Sequence, residues 1–306
     1  MLKYIHVLPN DSNKYVGVSN KIEGQINAFR NNGIVAKAFG YKKLSKIKRA
    51  IPFSSSSINW KEVDVTDSDI LYIRYPMSDL RFILFLRKIK RKMGIPIFIE
   101  IATYPYEKEL SRYSIITIRD KLYRRFLMNY VDFIFYIGGD GAYPQDIYGV
   151  KCARISNGID FQKYRIVRRK PSNTIRMIAV AEFQKIHGYE RIIRGIADYY
   201  RKGGGRSISF TLVGEGGELS YYKELTSKLE LNNYIHFKGK MVGEELNAEF
   251  DNSDIGVESF GFYKIDISTS SSLKSREYLA RGLPYISGVH NDIIDDVFPF
   301  CLFFYK

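Results

Sequence analysis

The chain has 306 residues, 45% hydrophobic and 26% charged, a composition that excludes intrinsic disorder and leaves room for one large domain or two of ordinary size. Cys152 and Cys301 are too few for a disulfide framework, which points to a reducing compartment, and no stretch approaches the roughly 20 apolar residues that span a bilayer. The net charge of +14 is uneven, with 31 Lys+Arg against 15 Asp+Glu over residues 1–170 and 16 against 18 over 171–306, so either the first half meets a polyanion or its basic surface serves solubility alone.

The pattern opens with a strand over 4–8, and the short apolar run there ends at Asn10 and Asp11, without the longer core of a signal peptide. A cytoplasmic protein is expected. Residues 11–20 are polar, contain Gly17 and read as a loop. Ile22, Ile26 and Phe29 have helical spacing, and Asn32-Gly33 ends that helix. Strands follow over 34–39 and 70–73, a helix over 79–92, a strand over 95–101, a helix over 118–129 and a strand over 133–137. Continuous apolar strands separated by helices predict a parallel sheet covered on both faces. Residues 165–173 are basic, contain Pro171 and read as a linker. Beyond it the alternation resumes, with strands over 175–180, 207–213, 234–237, 255–257 and 284–286 and helices over 189–200, 221–229, 244–250 and 273–280. The end, 297–305, is apolar and aromatic, which fits a strand or a domain truncated before a terminal helix. The expected architecture is α/β, with two Rossmann-like domains over 1–165 and 174–306 whose parallel sheets face a central cleft.

Three segments carry the chemistry. FTLVGEGG (210–217) ends a strand in glycines just before a helix, where Gly214 and Gly216 let backbone N–H groups approach a phosphate, or simply make a turn. STSSSLKSREYLARGLP (268–284) leads from a hydroxyl-rich stretch into a helix that stops at Gly282 and Pro284. The free N–H groups at its start form an anion site, and Lys274 in its first turn opposes the helix dipole unless an anion is bound there. Glu277 lies three residues on, where it is placed to accept hydrogen bonds from sugar hydroxyls, or to form a surface pair with Lys274. FQKIHGYER (183–191) brings Lys185, His187 and Arg191 to the same sheet edge, although a lone histidine is more often structural than catalytic. Ligands of open parallel sheets bind at the carboxyl ends of the strands, where all three turns fall.

The run 180–288 resembles the donor-binding domain of retaining GT-B glycosyltransferases of the family 4 type. The matching pieces keep the family's order: ISNGID (155–160), the Lys185, His187, Gly188 turn, LVGEG (212–216), IHFKG (235–239) and EYLARGLP (277–284). The first half matches in layout only. The resemblance implies a GT-B fold and a hexosyltransferase that takes a nucleoside-diphosphate sugar. It implies that Glu277 holds the ribose hydroxyls, that the backbone at Ser271, Ser272 and Leu273 approaches the diphosphate, and that Lys185 is the phosphate-binding lysine. Sugar contacts fall to Thr269, eight before Glu277, where the family often has a second glutamate. Glu182 and His187 stand where the family has Arg and Lys. The family's glycine-rich loop after the first strand corresponds to YVGVS (15–19), with Gly17 the contact. TYPYE (103–107) replaces the family's histidine, so no general base is assigned. In a retaining front-face reaction the leaving phosphate itself takes the acceptor proton, and rate comes from stabilising charge on the diphosphate. With four histidines in the chain, no metal and no further cofactor are expected.

The segment 81–92, RFILFLRKIKRK, combines apolar residues with six cations, and 42–49 adds more. Such a helix either lies on an anionic leaflet or packs in a core with a solvated basic end. A glycan acceptor, expected to be lipid-linked, accounts for the charge better than nucleic acid, because the aromatic residues form no stacking platform. The expectation is a transferase of capsule or surface polysaccharide synthesis, peripheral on the inner membrane face. The alternatives are a GT-B-like protein that binds nucleotide sugar without catalysis, and a nucleic-acid-binding protein using the basic half.

Overall fold

The computed structural model describes residues 1–9, 16–41, 58–109, 115–138, 144–167, 171–292, 299 and 301–304. Two compact units divide the chain, Met1–Gly158 and Ile159–Lys306, each built on its own sheet and core. The basic stretch 42–49 and Tyr15 lie outside the described residues, as do 168–170 of the expected linker and parts of the 297–305 end.

In the first unit the elements run β1 (Leu2–Pro9), α1 (Val16–Asn31), β2 (Ala36–Tyr41), β3 (Ile70–Arg74), α2 (Leu80–Lys92), β4 (Ile97–Tyr104), α3 (Ile115–Tyr123), β5 (Phe133–Gly138), β6 (Asp146–Ile147) and β7 (Val150–Ile155). The sheet order is β2-β1-β3-β4-β5-β7-β6, parallel except where β6 runs against β7. Leu71, Ile73, Ile97, Ile99 and Ile134 are fully covered, as a parallel sheet clothed on both faces requires.

One expectation is corrected here, and one pair of alternatives is decided. Helix α1 begins at Val16, so residues 16–20 of the stretch read as a loop are helical and Gly17 sits in the first turn. Helix α2 is a core element: Asp79 caps it by accepting the Phe82 N–H at 2.7 Å, and Phe82, Phe85, Leu86 and Ile89 are buried. Trp60 stacks on Phe82 and Phe85 with ring centroids 4.9 and 4.7 Å away. The Phe82, Phe85, Leu86 and Ile89 stripe of α2 is therefore engaged in the core, and its basic residues, with Leu80 and Leu84, face water. Strand β4 also carries a buried carboxylate, Glu100. Its oxygens accept from Lys21 Nζ (2.6 Å), Gln25 Nε2 (2.8 Å), Tyr72 Oη (2.9 Å) and Arg74 (3.2 Å), which ties α1 to the sheet.

The second unit runs β8 (Thr174–Val180), a 3₁₀ turn (Lys185–His187), α4 (Glu190–Arg201), β9 (Ser207–Val213), α5 (Leu219–Lys228), β10 (Ile235–Gly239), α6 (Gly243–Asp251), β11 (Ile255–Val257), β12 (Thr269–Ser270), α7 (Leu273–Ala280), β13 (Tyr285–Ser287), β14 (His290–Asn291) and β15 (Cys301–Phe303). Its main sheet is parallel throughout, in the order β10-β9-β8-β11-β13-β15. The chain lays β9 and β10 to one side of β8, then returns to place β11 on the other. The order thus reverses between β8 and β11, the switch point at which open α/β sheets take ligands. Part of the basic stretch read as a linker packs onto this unit. Val167 is buried and donates its N–H to Arg281 O at 2.8 Å, and Arg165 pairs with Glu244 and Asp251.

Candidate functional site

The loops that leave β8, β9 and β11 are locked together by backbone hydrogen bonds. Phe183 N–H donates to Glu215 O at 2.6 Å and Glu218 N–H to Phe183 O at 3.2 Å. Gly214 and Gly216 stand where this contact leaves no room. A Cβ on Gly214 would lie 1.9 Å from Ala181 O, and one on Gly216 2.4 Å from Phe183 O. The Gly214 N–H is committed to Gly239 O at 2.7 Å, so it is not the anion donor the sequence suggested. On the other side, Phe260 N–H donates to His187 O at 2.7 Å and Gly261 N–H to Ile186 O at 3.1 Å. Gly188 is left-handed at φ 60, and a Cβ there would meet Gly261 N at 2.5 Å. These glycines are set by close approach of one loop to the next.

Helix α7 then presents its N-terminus. Ser272 is the N-cap and accepts the Lys274 N–H at 3.1 Å. Lys274 does not pair with Glu277. Its ammonium lies 3.0 Å from Glu258 Oε1 and donates to Ser259 Oγ at 2.9 Å. Glu258 is almost wholly buried, directly after β11, and its Oε2 has no hydrogen-bond partner. Burial pushes its pKa up, but Lys274 and hydrogen bonds from Ser272, Lys274 and Ser259 outweigh burial and hold the carboxyl below its usual range. Burial, with the Lys274 charge, pushes His187 well below the ordinary imidazole value, so the ring is neutral. Its Nδ1 accepts the Gln184 N–H at 3.0 Å, which leaves the proton on Nε2; that nitrogen has no partner among the described residues. The ring stacks on Tyr189, centroids 5.6 Å apart. Lys185 is exposed, and its carbonyl oxygen accepts from Lys264 Nζ at 3.3 Å.

One turn on, Glu277 Oε1 accepts from Arg281 Nε at 3.0 Å and Nη2 at 2.8 Å. Arg281 is buried between the rings of Phe250 and Tyr164, 4.1 and 5.1 Å from their centroids. Burial raises the Glu277 pKa against the opposing pull of Arg281. The adjoining Tyr164 hydroxyl is pushed up to about 12 by burial and the Glu277 charge.

The structure therefore brings Lys274 and Ser272 to Glu258, with His187 within reach of the Lys274 charge, and sets Glu277 on Arg281. Ser271 is buried beside the cap, and Leu273 opens the helix. Thr269 lies in a two-residue ladder in which it faces His290. Gly17 belongs to the first unit, exposed, with open space where a Cβ would stand. Sequence reasoning missed Glu258 because it counted eight back from Glu277; a glutamate directly after the apolar run 255–257, at the carboxyl end of a strand, was the available signal.

In the first unit, TYPYE stands at the end of β4. Asp120 is buried and accepts from Tyr75 Oη and Ser78 N, each at 2.6 Å, and from Tyr106 Oη. Arg124 pairs with Glu107 and lies 4.3 Å from the Tyr148 ring centroid. Among the described residues, no group of three His, Cys, Asp or Glu side chains could hold a metal ion. An Asp-Ser-Asp triplet, which the metal-free expectation left out of account, occupies 67–69 at the amino end of β3, and there Asp69 pairs with the Met1 ammonium.

No family model and no curated protein matches the chain. Among solved structures, the apo form of the lipopolysaccharide outer core galactosyltransferase WaaB has a TM-score of 0.60 at 13% identity, covering 100% of this chain and 86% of that one. Anabaena HepE in complex with UDP and glucose has 0.60 at 12%, covering 100% and 85%. Sucrose-phosphate synthase from Thermosynechococcus elongatus has 0.62 at 14%, covering 99% and 85%. At such identities the likeness is one of fold, and the fold of this chain is the GT-B fold of glycosyltransferases.

Proposed function

We propose that the chain transfers a hexosyl group from a nucleoside-diphosphate sugar to a lipid-linked glycan, with retention, in the synthesis of a capsule or other surface polysaccharide on the inner membrane face. The observation that carries the reading is the start of α7 at the β8/β11 switch point, where Lys274 is held by buried Glu258 beside a neutral His187. A helix N-terminus, an ammonium and an imidazole N–H are the groups that stabilise a departing diphosphate. Lys185, exposed in the neighbouring turn, adds a second cation. Glu277, its Oε1 taken by Arg281, offers Oε2 to the ribose hydroxyls. In the step itself the anomeric carbon–oxygen bond to the diphosphate breaks as the acceptor oxygen bonds to that carbon from the same face. The acceptor proton passes to the leaving phosphate oxygen. No metal is needed, because the charge forms among protein donors.

A screen of nucleoside-diphosphate hexoses with a membrane lipid extract as acceptor tests this by release of free nucleoside diphosphate. One donor is expected to give chain-dependent release that a chelator leaves unchanged. Release from none of them would overturn the transferase reading, and a chelator-abolished rate would remove its metal-free part.

A further inference from the structure

Large apolar side chains exposed to water gather on one stretch of the first unit. Ile115, Ile116, Ile118 and Leu122 of α3, with Phe126 and Met128 of the 3₁₀ turn that continues it, are all more than a third exposed, Ile115 by 79% and Met128 by 59%. Ile115, Ile118 and Leu122 are spaced i, i+3, i+7 and share one helix face. The inward side is separate: Thr117, Asp120 and Leu127 are buried. Contiguous exposed apolar surface of this kind marks an interaction site.

The charges around it say what covers it. Asp120 is the acidic residue of the stretch 115–129, and it is buried and bonded to Tyr75, Ser78 and Tyr106. Lys121 and Arg125 are exposed, four residues apart, and the Arg125 guanidinium lies 5.0 Å from the Phe126 ring centroid. Residues 115–129 thus offer an outward surface that is apolar and cationic, with no exposed acid of their own, in the half of the chain that holds 31 Lys+Arg against 15 Asp+Glu; exposed Asp146 lies at its Met128 end. No described helix is long and apolar enough to cross a membrane. An apolar face flanked by cations is the pattern of a helix that lies in the interface of an anionic bilayer. The geometry points to Ile115–Met128 as the surface by which this chain docks on an anionic membrane, apolar side chains in the acyl boundary and Lys121 and Arg125 on the headgroups. This deepens the membrane part of the proposed function and moves it from α2, most of whose apolar residues are buried.

Sedimentation of the full chain with phosphatidylcholine vesicles, with and without phosphatidylglycerol, tests it. Wild type is expected to pellet with the anionic vesicles only, and less as salt rises. Ile118→Ser/Leu122→Ser and Lys121→Glu/Arg125→Glu are each expected to weaken binding by about tenfold or more. All four side chains sit at the surface, so thermal unfolding checks that the fold is kept. Wild type that fails to pellet, or variants that pellet as well as wild type, would overturn the proposal. So would self-association of the wild type, lost in the variants, without vesicle binding, which would assign the face to a second copy. Nucleoside-diphosphate binding is expected to be unchanged in both variants, so loss of vesicle binding with nucleotide binding intact removes this surface alone and leaves the transferase reading standing.

Discussion

Lys274 is a cation in the first turn of a helix, a position the helix dipole disfavours, and Glu258 accounts for it. The pair is mostly buried, so removing one partner leaves the other uncompensated. Lys274→Met is expected to destabilise the protein by about 3 kcal/mol and to abolish diphosphate binding. Adding Glu258→Gln should restore most of the stability and none of the binding. Chemical denaturation and calorimetry on the same preparations separate a stability role from a ligand role. His187 gives a pH signature. Its folded pKa is depressed, so above about 6.5 it is neutral in both states and contributes no pH dependence. As pH falls below about 6.5 the unfolded chain takes up the proton first, and stability is lost at up to about 1.4 kcal/mol per pH unit. Urea midpoints of wild type and His187→Gln across that range are expected to diverge, with the variant flatter; parallel curves would count against a neutral, buried ring. At this scale Lys274, His187 and Glu277 were legible from residue type and position. Arg281, four residues after Glu277 on the same helix, was open to the same spacing rule; Glu258 was not, because it reaches Lys274 from the end of another strand through folding that spacing does not encode.

Elements were legible where period and punctuation agreed. The helix from Leu273 to Ala280 follows from its hydroxyl-rich start and its Gly-x-Pro stop, and the parallel strands follow from unbroken apolar runs. The start of α1 was hidden because Gly17, Ser19 and Asn20 are weak helix formers. The apolar stripe of α2 was ambiguous because one pattern serves a core and a lipid surface alike, and Trp60 and the sheet decide for the core. The Gly-rich turn after β9 was read as a phosphate cradle or simply a turn, and close approach of the Ala181–Phe183 backbone accounts for Gly214 and Gly216. That distinction is testable. Gly214→Ala, at φ 135 and against a backbone oxygen that cannot yield, is expected to destabilise by more than about 2 kcal/mol. Gly217→Ala, with nothing within 4 Å, is expected to stay within about 1 kcal/mol of wild type by thermal unfolding.

For the whole molecule, the charge asymmetry in the sequence pointed to a basic first half, and the structure divides the chain near the same place, at Gly158. The GT-B fold was legible from two successive strand–helix series and from the donor-type motifs of the second. The acceptor was not, since the first half carries no motif beyond its layout. Nucleotide recognition is the claim on which the rest depends, and calorimetric titration of the full chain with UDP, GDP, ADP and CDP measures it most directly. One nucleoside diphosphate is expected to bind wild type, and Glu277→Gln is expected to bind it about fivefold or more weakly, through loss of a charged acceptor. Binding of none of them to wild type, or equal binding by Glu277→Gln and Lys274→Met, would contradict the account.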